Sequence, residues 1–296
     1  GEREIRCSVF HEALYFAIKQ IQKTEGIHLH RGLQDPTEYR GLIEGDCPAL
    51  TQFLKTTTSA SLIRVMPDRY IFLPKLDEDF SLHEVRLENL GAVYANEVEP
   101  ISEARGAVEE GLKVAKSDSP YHVADFLFDE EIRSFEWDLE QYSKPEHREI
   151  NDQATATESG APYLLKPKNS RPELGVVLVH GFLSSPAELR SFGEEIAKEG
   201  FPVFGVRVAG HGTSPWDLRD RSWQDWVESV RRGYELMSKI TQRVCVVGFS
   251  GGGAMALRFA AENPSKLAGV LGVAPAMKFT SKAMHFVPLL HGLNTL

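Results

Sequence analysis

Cysteine and long apolar runs are both scarce in this sequence of 296 residues. The three cysteines, Cys7, Cys47 and Cys245, are too few and too scattered for a disulfide framework, and they are typical of a reducing, cytoplasmic compartment. No apolar run reaches the ~18–20 residues that a membrane-spanning helix needs, and no secretory signal peptide is recognisable at the start. Because the chain opens with Gly1 rather than Met, we expect residues 1–296 to be a window of a longer protein.

Basic side chains are fewer than acidic ones in the first half of the sequence. Residues 1–150 hold 29 Asp and Glu against 17 Lys and Arg, a net charge of −12, whereas residues 151–296 hold 13 against 16, a net of +3. Binding of nucleic acid depends on Lys and Arg replacing the counterions of phosphate. The balance therefore argues against a nucleic-acid partner. No spacing of His, Cys and carboxylates predicts a metal site, and we expect no cofactor.

Residues 143–160 combine Pro, Gly, Ser, Thr and charge, which predicts a linker. Residues 1–142 are predicted to form a smaller mixed α+β domain of unknown function. Its order of two helices followed by a β-ribbon is typical of a winged-helix shape, and its acidic stretch near the end predicts a solvated helix. The predicted elements are a helix over Ile5–Gln22, a helix over Cys47–Lys55, two strands within Ser61–Leu73 and the acidic helix Glu130–Gln141.

Residues 161–296 follow a regular alternation of buried strands and amphipathic helices. Continuous apolar runs separated by helical patterns with short connections predict an α/β fold with a parallel sheet and right-handed crossovers. A short strand is predicted at Tyr163–Lys166. The further predicted strands are Leu174–Val179, Pro202–Val208, Arg243–Gly248 and Leu267–Val273, and the predicted helices are Pro186–Glu199, Trp223–Ile240 and Gly251–Glu262.

The sequence Gly248-Phe249-Ser250-Gly251-Gly252 fits the pattern Gly-x-Ser-x-Gly. An apolar strand ends at Gly248 and a helix begins at Gly251, which is the context of a nucleophile elbow. A serine on so sharp a turn needs small neighbours, here Gly248 and Gly252, and it lies at a helix N-terminus, which favours developing negative charge. The loop lacks the Lys-Ser/Thr of a P-loop. We therefore interpret Ser250 as a nucleophile.

Two further loops follow strands in the same region. His180-Gly181-Phe182 comes after the first buried strand and Ala209-Gly210-His211-Gly212 after the second. Acyl transfer needs two N–H donors for the oxyanion, and we assign them to the backbone of Phe182 and Gly251. Gly181 permits the tight path of the first loop. His180 and His211 are interpreted as structural loop histidines.

Residues 161–280 resemble the N-terminal half of the α/β-hydrolase fold, in particular small carboxylesterases and monoacylglycerol-lipase-like enzymes. The resemblance rests on Val177–Phe182, Ala209–Gly212, Trp223–Trp226 and Val247–Gly253. It implies a serine hydrolase that acts on carboxylic esters, such as acylglycerols or lysolipids, through an acyl-serine. It also implies oxyanion donors at Phe182 and Gly251.

One departure from that fold concerns the order nucleophile, acid, histidine. After Ser250 the only acidic residue is Glu262, three turns along a helix, and the histidines His285 and His291 follow without strand ends that bear an acid. We expect the last strands of the fold to be missing and Met277–Leu296 to begin a lid.

This departure leaves two other functions open. One is an acyltransferase that uses the same nucleophile in a lipid-metabolism fusion, and the other is a catalytically incomplete binding module. The expected partner is a small-molecule or lipid ester. Peripheral contact with a membrane stays open, and the sequence does not specify an oligomeric state.

Overall fold

A computed structural model gives the structure of the chain for residues 3–81, 83–117, 120–152 and 159–277. The chain divides into two compact units, Gly1–Phe126 and Leu127–Leu296. We describe each unit by itself. The predicted division into residues 1–142, 143–160 and 161–296 stays a prediction.

The first unit contains a three-stranded antiparallel sheet with the strand order β1-β3-β2. Its strands are β1 (Arg3–Arg6), β2 (Ile63–Val65) and β3 (Arg69–Phe72), and its helices are α1 (Cys7–Ile21), α2 (Pro36–Tyr39), α3 (Pro48–Ser59), α4 (Val85–Glu88), α5 (Leu90–Val98) and α6 (Ser102–Lys116). Turns of 3-10 helix lie at Arg31–Leu33, Arg40–Glu44 and Pro74–Asp77. The two predicted helices and the ribbon of β2 and β3 are confirmed.

The predicted start of the first helix was wrong. Ile5 lies in β1, where it pairs with Tyr70 of β3, and helix α1 begins only at Cys7. The apolar spacing of Ile5 fits a helix, but a neighbouring strand offers this segment hydrogen bonds, and Ile5 packs against the buried Leu62 and Ile63. Tertiary pairing therefore overrides the local pattern.

The second unit is built on a five-stranded sheet with the order β4-β6-β5-β7-β8. The strands are β4 (Tyr163–Leu165), β5 (Leu174–Val179), β6 (Val203–Val206), β7 (Arg243–Phe249) and β8 (Leu267–Val273). β4 runs antiparallel to β6, and the other neighbours are parallel. All five predicted strands are confirmed, including the short one near Tyr163.

Helices cover both faces of this sheet. Val176 and Leu178 of β5 pack with Leu189 and Ile196 on one face, whereas Gly175 contacts Met237 on the other. Alternate residues of a strand point to opposite faces, which explains why β5 is apolar throughout. The helices are α8 (Arg148–Asn151), α9 (Arg190–Lys198), α10 (Pro215–Asp220), α11 (Trp223–Ile240) and α12 (Gly251–Ala260), with 3-10 turns at Pro145–His147 and Pro186–Leu189.

The acidic helix before the linker is only partly solvated, so the prediction of a solvated helix was wrong for the face that is buried. It belongs to α7 (Pro120–Tyr142), and its residues from Leu127 onward lie in the second unit. Glu130 and Glu131 are buried, and Glu131 pairs with Arg232 of α11, with Oε1 2.6 Å from Nε. Phe128 packs edge-on against Phe204 of β6, with ring centroids 6.2 Å apart. Glu131 and Asp138 are therefore paired with arginines, whereas Glu136 and Glu140 remain exposed.

Residues 278–296 of the predicted lid Met277–Leu296, with His285 and His291, lie outside the described residues. Within the ranges that are described, none of the helices combines the length and apolar composition needed to cross a bilayer.

Candidate active site

Three loops of the second unit meet at one edge of the sheet because they follow three neighbouring parallel strands. Val179, the last residue of β5, pairs with Val206 of β6 on one side and with Gly248 of β7 on the other. The three strands therefore end at these paired positions or one residue beyond them, and the chain leaves the sheet from all three at about the same level. The loop beginning at His180 is thereby placed between the loop that contains His211 and the turn that contains Ser250. This edge is where open α/β sheets bind ligands.

Ser250 stands on the turn between β7 and α12 with φ of 50° and ψ of −116°. This positive φ is rare for a residue with a side chain and is characteristic of a strained functional turn. The turn is fixed from both sides, since the Ser250 N–H donates to the Val273 carbonyl (2.9 Å) and the Ala276 N–H donates to the Ser250 carbonyl (3.2 Å). The Ser250 residue itself is exposed. The turn therefore presents the hydroxyl to solvent at the start of a helix.

The glycines around Ser250 are explained by close backbone approaches. A Cβ on Gly248 would stand 2.6 Å from the nitrogen of Gly253, and one on Gly252 would stand 2.8 Å from the carbonyl carbon of Val179. Neither backbone atom can move without moving a strand or a helix. The structure thus gives the physical reason for the glycine at each end of Gly-x-Ser-x-Gly.

The peptide between Gly181 and Phe182 lies against the nucleophile turn. A Cβ on Gly181 would be 3.5 Å from Cβ of Ser250, and a Cβ on Gly251 would be 3.3 Å from the backbone nitrogen of Phe182. The Gly181 carbonyl accepts from Nδ1 of His180 (2.9 Å) and from the Ser184 N–H (3.3 Å). In a trans peptide the N–H points opposite to the carbonyl. These two bonds therefore fix the direction of the Phe182 N–H.

His180 has a backbone partner at each ring nitrogen. Nδ1 donates to Gly181, and Nε2 accepts from the Val208 N–H at 3.2 Å. This pattern requires the neutral ring with the proton on Nδ1. Burial, together with the neighbouring His211 and Arg207, lowers the pKa of His180 to about 3. The ring joins the first loop to the second and has no nitrogen left for proton transfer.

His211 is buried beneath the first loop. Its ring makes edge contacts with the rings of His180 (5.1 Å between centroids), Phe182 (5.7 Å) and Trp226 (6.0 Å). Nδ1 donates to the Ala209 carbonyl at 3.2 Å. Burial lowers the pKa of His211. The aromatic contacts place this ring as a support for Phe182.

The sequence reasoning missed a group of buried charges below the second loop. Arg207 pairs with Asp138 of α7 (2.7 Å) and with Asp217 of α10 (3.0 Å), and Arg221 pairs with the same two carboxylates. One signal was available, since Arg207 is a charged residue inside the apolar run Pro202–Val208. A charge in such a run indicates a buried partner, but nothing local points to Asp138, 69 positions away.

The acid and base of a triad are not assembled by the described residues. Glu262 pairs with Arg231 (2.7 Å) and Arg258 (3.2 Å) beyond the end of α12. Across the described residues, no group of His, Cys, Asp and Glu side chains is arranged to hold a metal ion.

Comparison with known proteins agrees with this geometry. A family model described as "Serine aminopeptidase, S33" matches residues 170–295. A "Thermostable monoacylglycerol lipase" of Bacillus sp. (strain H-257) is 37% identical over 102 residues, which cover 34% of this chain and 39% of the relative. The residues that the family model matches fall within the second unit, which carries an α/β fold with a mainly parallel sheet. A "Carboxylesterase" of Bacillus subtilis (strain 168) is 29% identical over 112 residues, which cover 38% of this chain and 45% of the relative.

Among solved structures, the monoacylglycerol lipase of Paleococcus ferrophilus matches this chain with a TM-score of 0.38 and 25% identity. It covers 44% of this chain and 51% of that one. The chain spans about two fifths of the length of the curated relatives it matches.

Proposed function

We propose that this chain provides the nucleophile and the oxyanion donors of a serine hydrolase that acts on carboxylic esters. The observation that carries the proposal is Ser250, with φ of 50° between β7 and α12 and with glycines at both ends of the motif where a Cβ would meet backbone. A strained serine in this strand-to-helix context is the mark of a nucleophile elbow. Similarity to proteins named as a monoacylglycerol lipase and a carboxylesterase supports esters as the substrate class.

The proposed reaction has two steps. Oγ of Ser250 attacks the ester carbonyl carbon and passes its proton to a general base, which this fold places downstream of the serine. The oxyanion accepts from the N–H groups of Phe182 and Gly251 until the alcohol leaves with the proton. Water then attacks the acyl-serine, which releases the carboxylic acid and restores Ser250.

The surroundings of Ser250 favour an apolar acyl group. Phe182 and Leu183 are 52% and 57% exposed on the loop beside the nucleophile. Phe192 packs edge-on against Phe249, the residue before the serine. Such side chains would contact the hydrocarbon part of an ester, so we propose acylglycerols or similar lipid esters as substrates.

A fluorophosphonate probe tests the nucleophile directly. The probe should label the protein, and Ser250→Ala should remove the label. Ser238→Ala is the matched control, because its buried hydroxyl lies on α11 and has no hydrogen-bond partner among the described residues. Labelling that persists in Ser250→Ala, or that disappears in Ser238→Ala, would contradict the proposal. Turnover of an acylglycerol in water with and without added glycerol then separates hydrolysis from acyl transfer.

A further inference from the structure

Arg207 is a buried cation directly after β6, at the base of the loop that contains His211. Its side chain is only 5% exposed. Nε donates to the His211 carbonyl at 2.8 Å, and the two terminal nitrogens donate to Asp138 (2.7 Å), Asp217 (3.0 Å) and Thr213 (3.4 Å). The guanidinium also lies over a ring of α7, that of Phe135, at 5.3 Å. Its position is therefore fixed by partners on all sides.

The two carboxylates that bind Arg207, those of Asp138 and Asp217, have further hydrogen-bond donors. Arg221 donates to Asp217 through Nε (2.7 Å) and to Asp138 through a terminal nitrogen (3.0 Å). Thr213 donates to Asp217 at 2.6 Å. A lone charge in this place would carry a large desolvation cost, and the opposite charges of the cluster offset it.

A continuous set of contacts runs from this cluster to the proposed oxyanion donor. Arg207 binds the backbone of His211, and the His211 ring packs edge-on against the rings of Phe182 and His180. His180 in turn donates to the Gly181 carbonyl, in the same peptide as the Phe182 N–H. A shift of the His211 loop would therefore move both supports of that peptide.

We propose that Arg207, held by Asp138 of α7, is a positioning residue that sets the direction of the Phe182 N–H through His211. The inference rests on the proposed function. It assigns a role at the active site to α7, a helix that precedes the first strand of the hydrolase sheet. An N–H donor contributes to the rate only when it points at the developing oxyanion. Loosening the support should accordingly lower kcat and leave ground-state binding of the ester nearly unchanged.

Arg207→Lys tests the inference, because it keeps the charge for both carboxylates and removes the donor to the His211 carbonyl. Arg221→Lys is the matched control, since Arg221 shares Asp138 and Asp217 but is not a partner of His211. Asp138→Asn is a second variant that keeps Arg207 in place and weakens one contact. If circular dichroism shows Arg207→Lys to be unfolded, Asp138→Asn carries the test.

Two readouts are measured on the intact protein. Hydrogen exchange followed by mass spectrometry reports on residues 180–185 and 208–213, where the amides of Ser184, Val208 and His211 have assigned acceptors. Hydrolysis of p-nitrophenyl butyrate gives kcat and KM. Arg207→Lys should speed exchange in both loops at least tenfold without changing β5 and β7, and should lower kcat about tenfold or more with KM within about twofold. Arg221→Lys should change each quantity less than threefold.

The inference is overturned if Arg207→Lys leaves loop exchange unchanged, if Arg221→Lys has an equal effect, or if KM rises while kcat is preserved. Faster exchange over the whole sheet would show a merely structural role and would also overturn it. A wild-type protein without turnover or fluorophosphonate labelling contradicts the proposed function instead. In that case the exchange comparison still decides whether Arg207 positions the loop.

Discussion

Replacement of Gly252 by alanine measures how closely the nucleophile helix approaches the first loop. The added Cβ would lie 2.8 Å from the carbonyl carbon of Val179, and closer to the carbonyl oxygens of Val179 and His180. Carbon atoms in contact prefer about 3.5–4.0 Å. The start of α12 must therefore retreat by about 0.7 Å or more, because none of these backbone atoms can rotate away. Ser250 retreats with it, away from the Phe182 N–H.

Displacements of about 1 Å in an active site can cost about a hundredfold in rate. We therefore expect Gly252→Ala to slow fluorophosphonate labelling tenfold to a hundredfold and to lower stability by about 1–3 kcal/mol through overpacking. Gly106→Ala is the control, since a Cβ on Gly106 of α6 meets nothing within 4 Å and should stabilise the helix. Labelling rate and thermal unfolding are measured for both. Wild-type labelling and melting temperature in Gly252→Ala would refute the close approach.

The remaining predictions concern the first loop. Phe182→Leu should keep ester turnover within about tenfold, because the backbone N–H survives. Gly251→Val should abolish turnover, since even a Cβ on Gly251 would be 3.3 Å from the Phe182 nitrogen. Equal losses of turnover in the two variants would contradict this assignment. The low pKa of His180 predicts that stability falls with acid. The unfolded chain binds the proton near pH 6.5 and the folded chain only near 3, so the loss begins below pH 6.5 and reaches about 2 kcal/mol at pH 5. Urea unfolding at pH 7 and pH 5 should show this loss in the wild type and a smaller one in His180→Gln; equal losses would be evidence against it.

The sheet and the turn at Ser250 could be predicted because their signals are local. Strands buried on both faces read as continuous apolar runs, and Gly-x-Ser-x-Gly between such a run and a helix specifies the turn. The parallel arrangement then brings the His180 loop beside Ser250 without further information. Strand β1 was not predicted, because a segment of four residues directly before a helix is too short to show the alternating hydrophobic pattern of a strand.

The buried charges could not be predicted because each partner is distant in sequence. Glu131 finds Arg232, 101 positions away, and Asp138 finds Arg207. On its own, an acidic helix with a few apolar residues has the composition of a surface element. Only the fold reveals that Glu131 and Asp138 meet arginines of other elements.

The ion pairs that α7 makes with Arg207 and Arg232 limit how this chain could have been recombined during evolution. A gene fusion or exchange with its junction near residue 161 would match the first strand of the sheet, but it would separate Arg207 and Arg232 from their partners Asp138 and Glu131. Stranding one buried charge typically costs about 3–5 kcal/mol, and two such losses are comparable with the whole stability of a domain. Successful exchanges should therefore keep the sequence from about residue 127 onward together as one segment, with the recombination junction upstream of it.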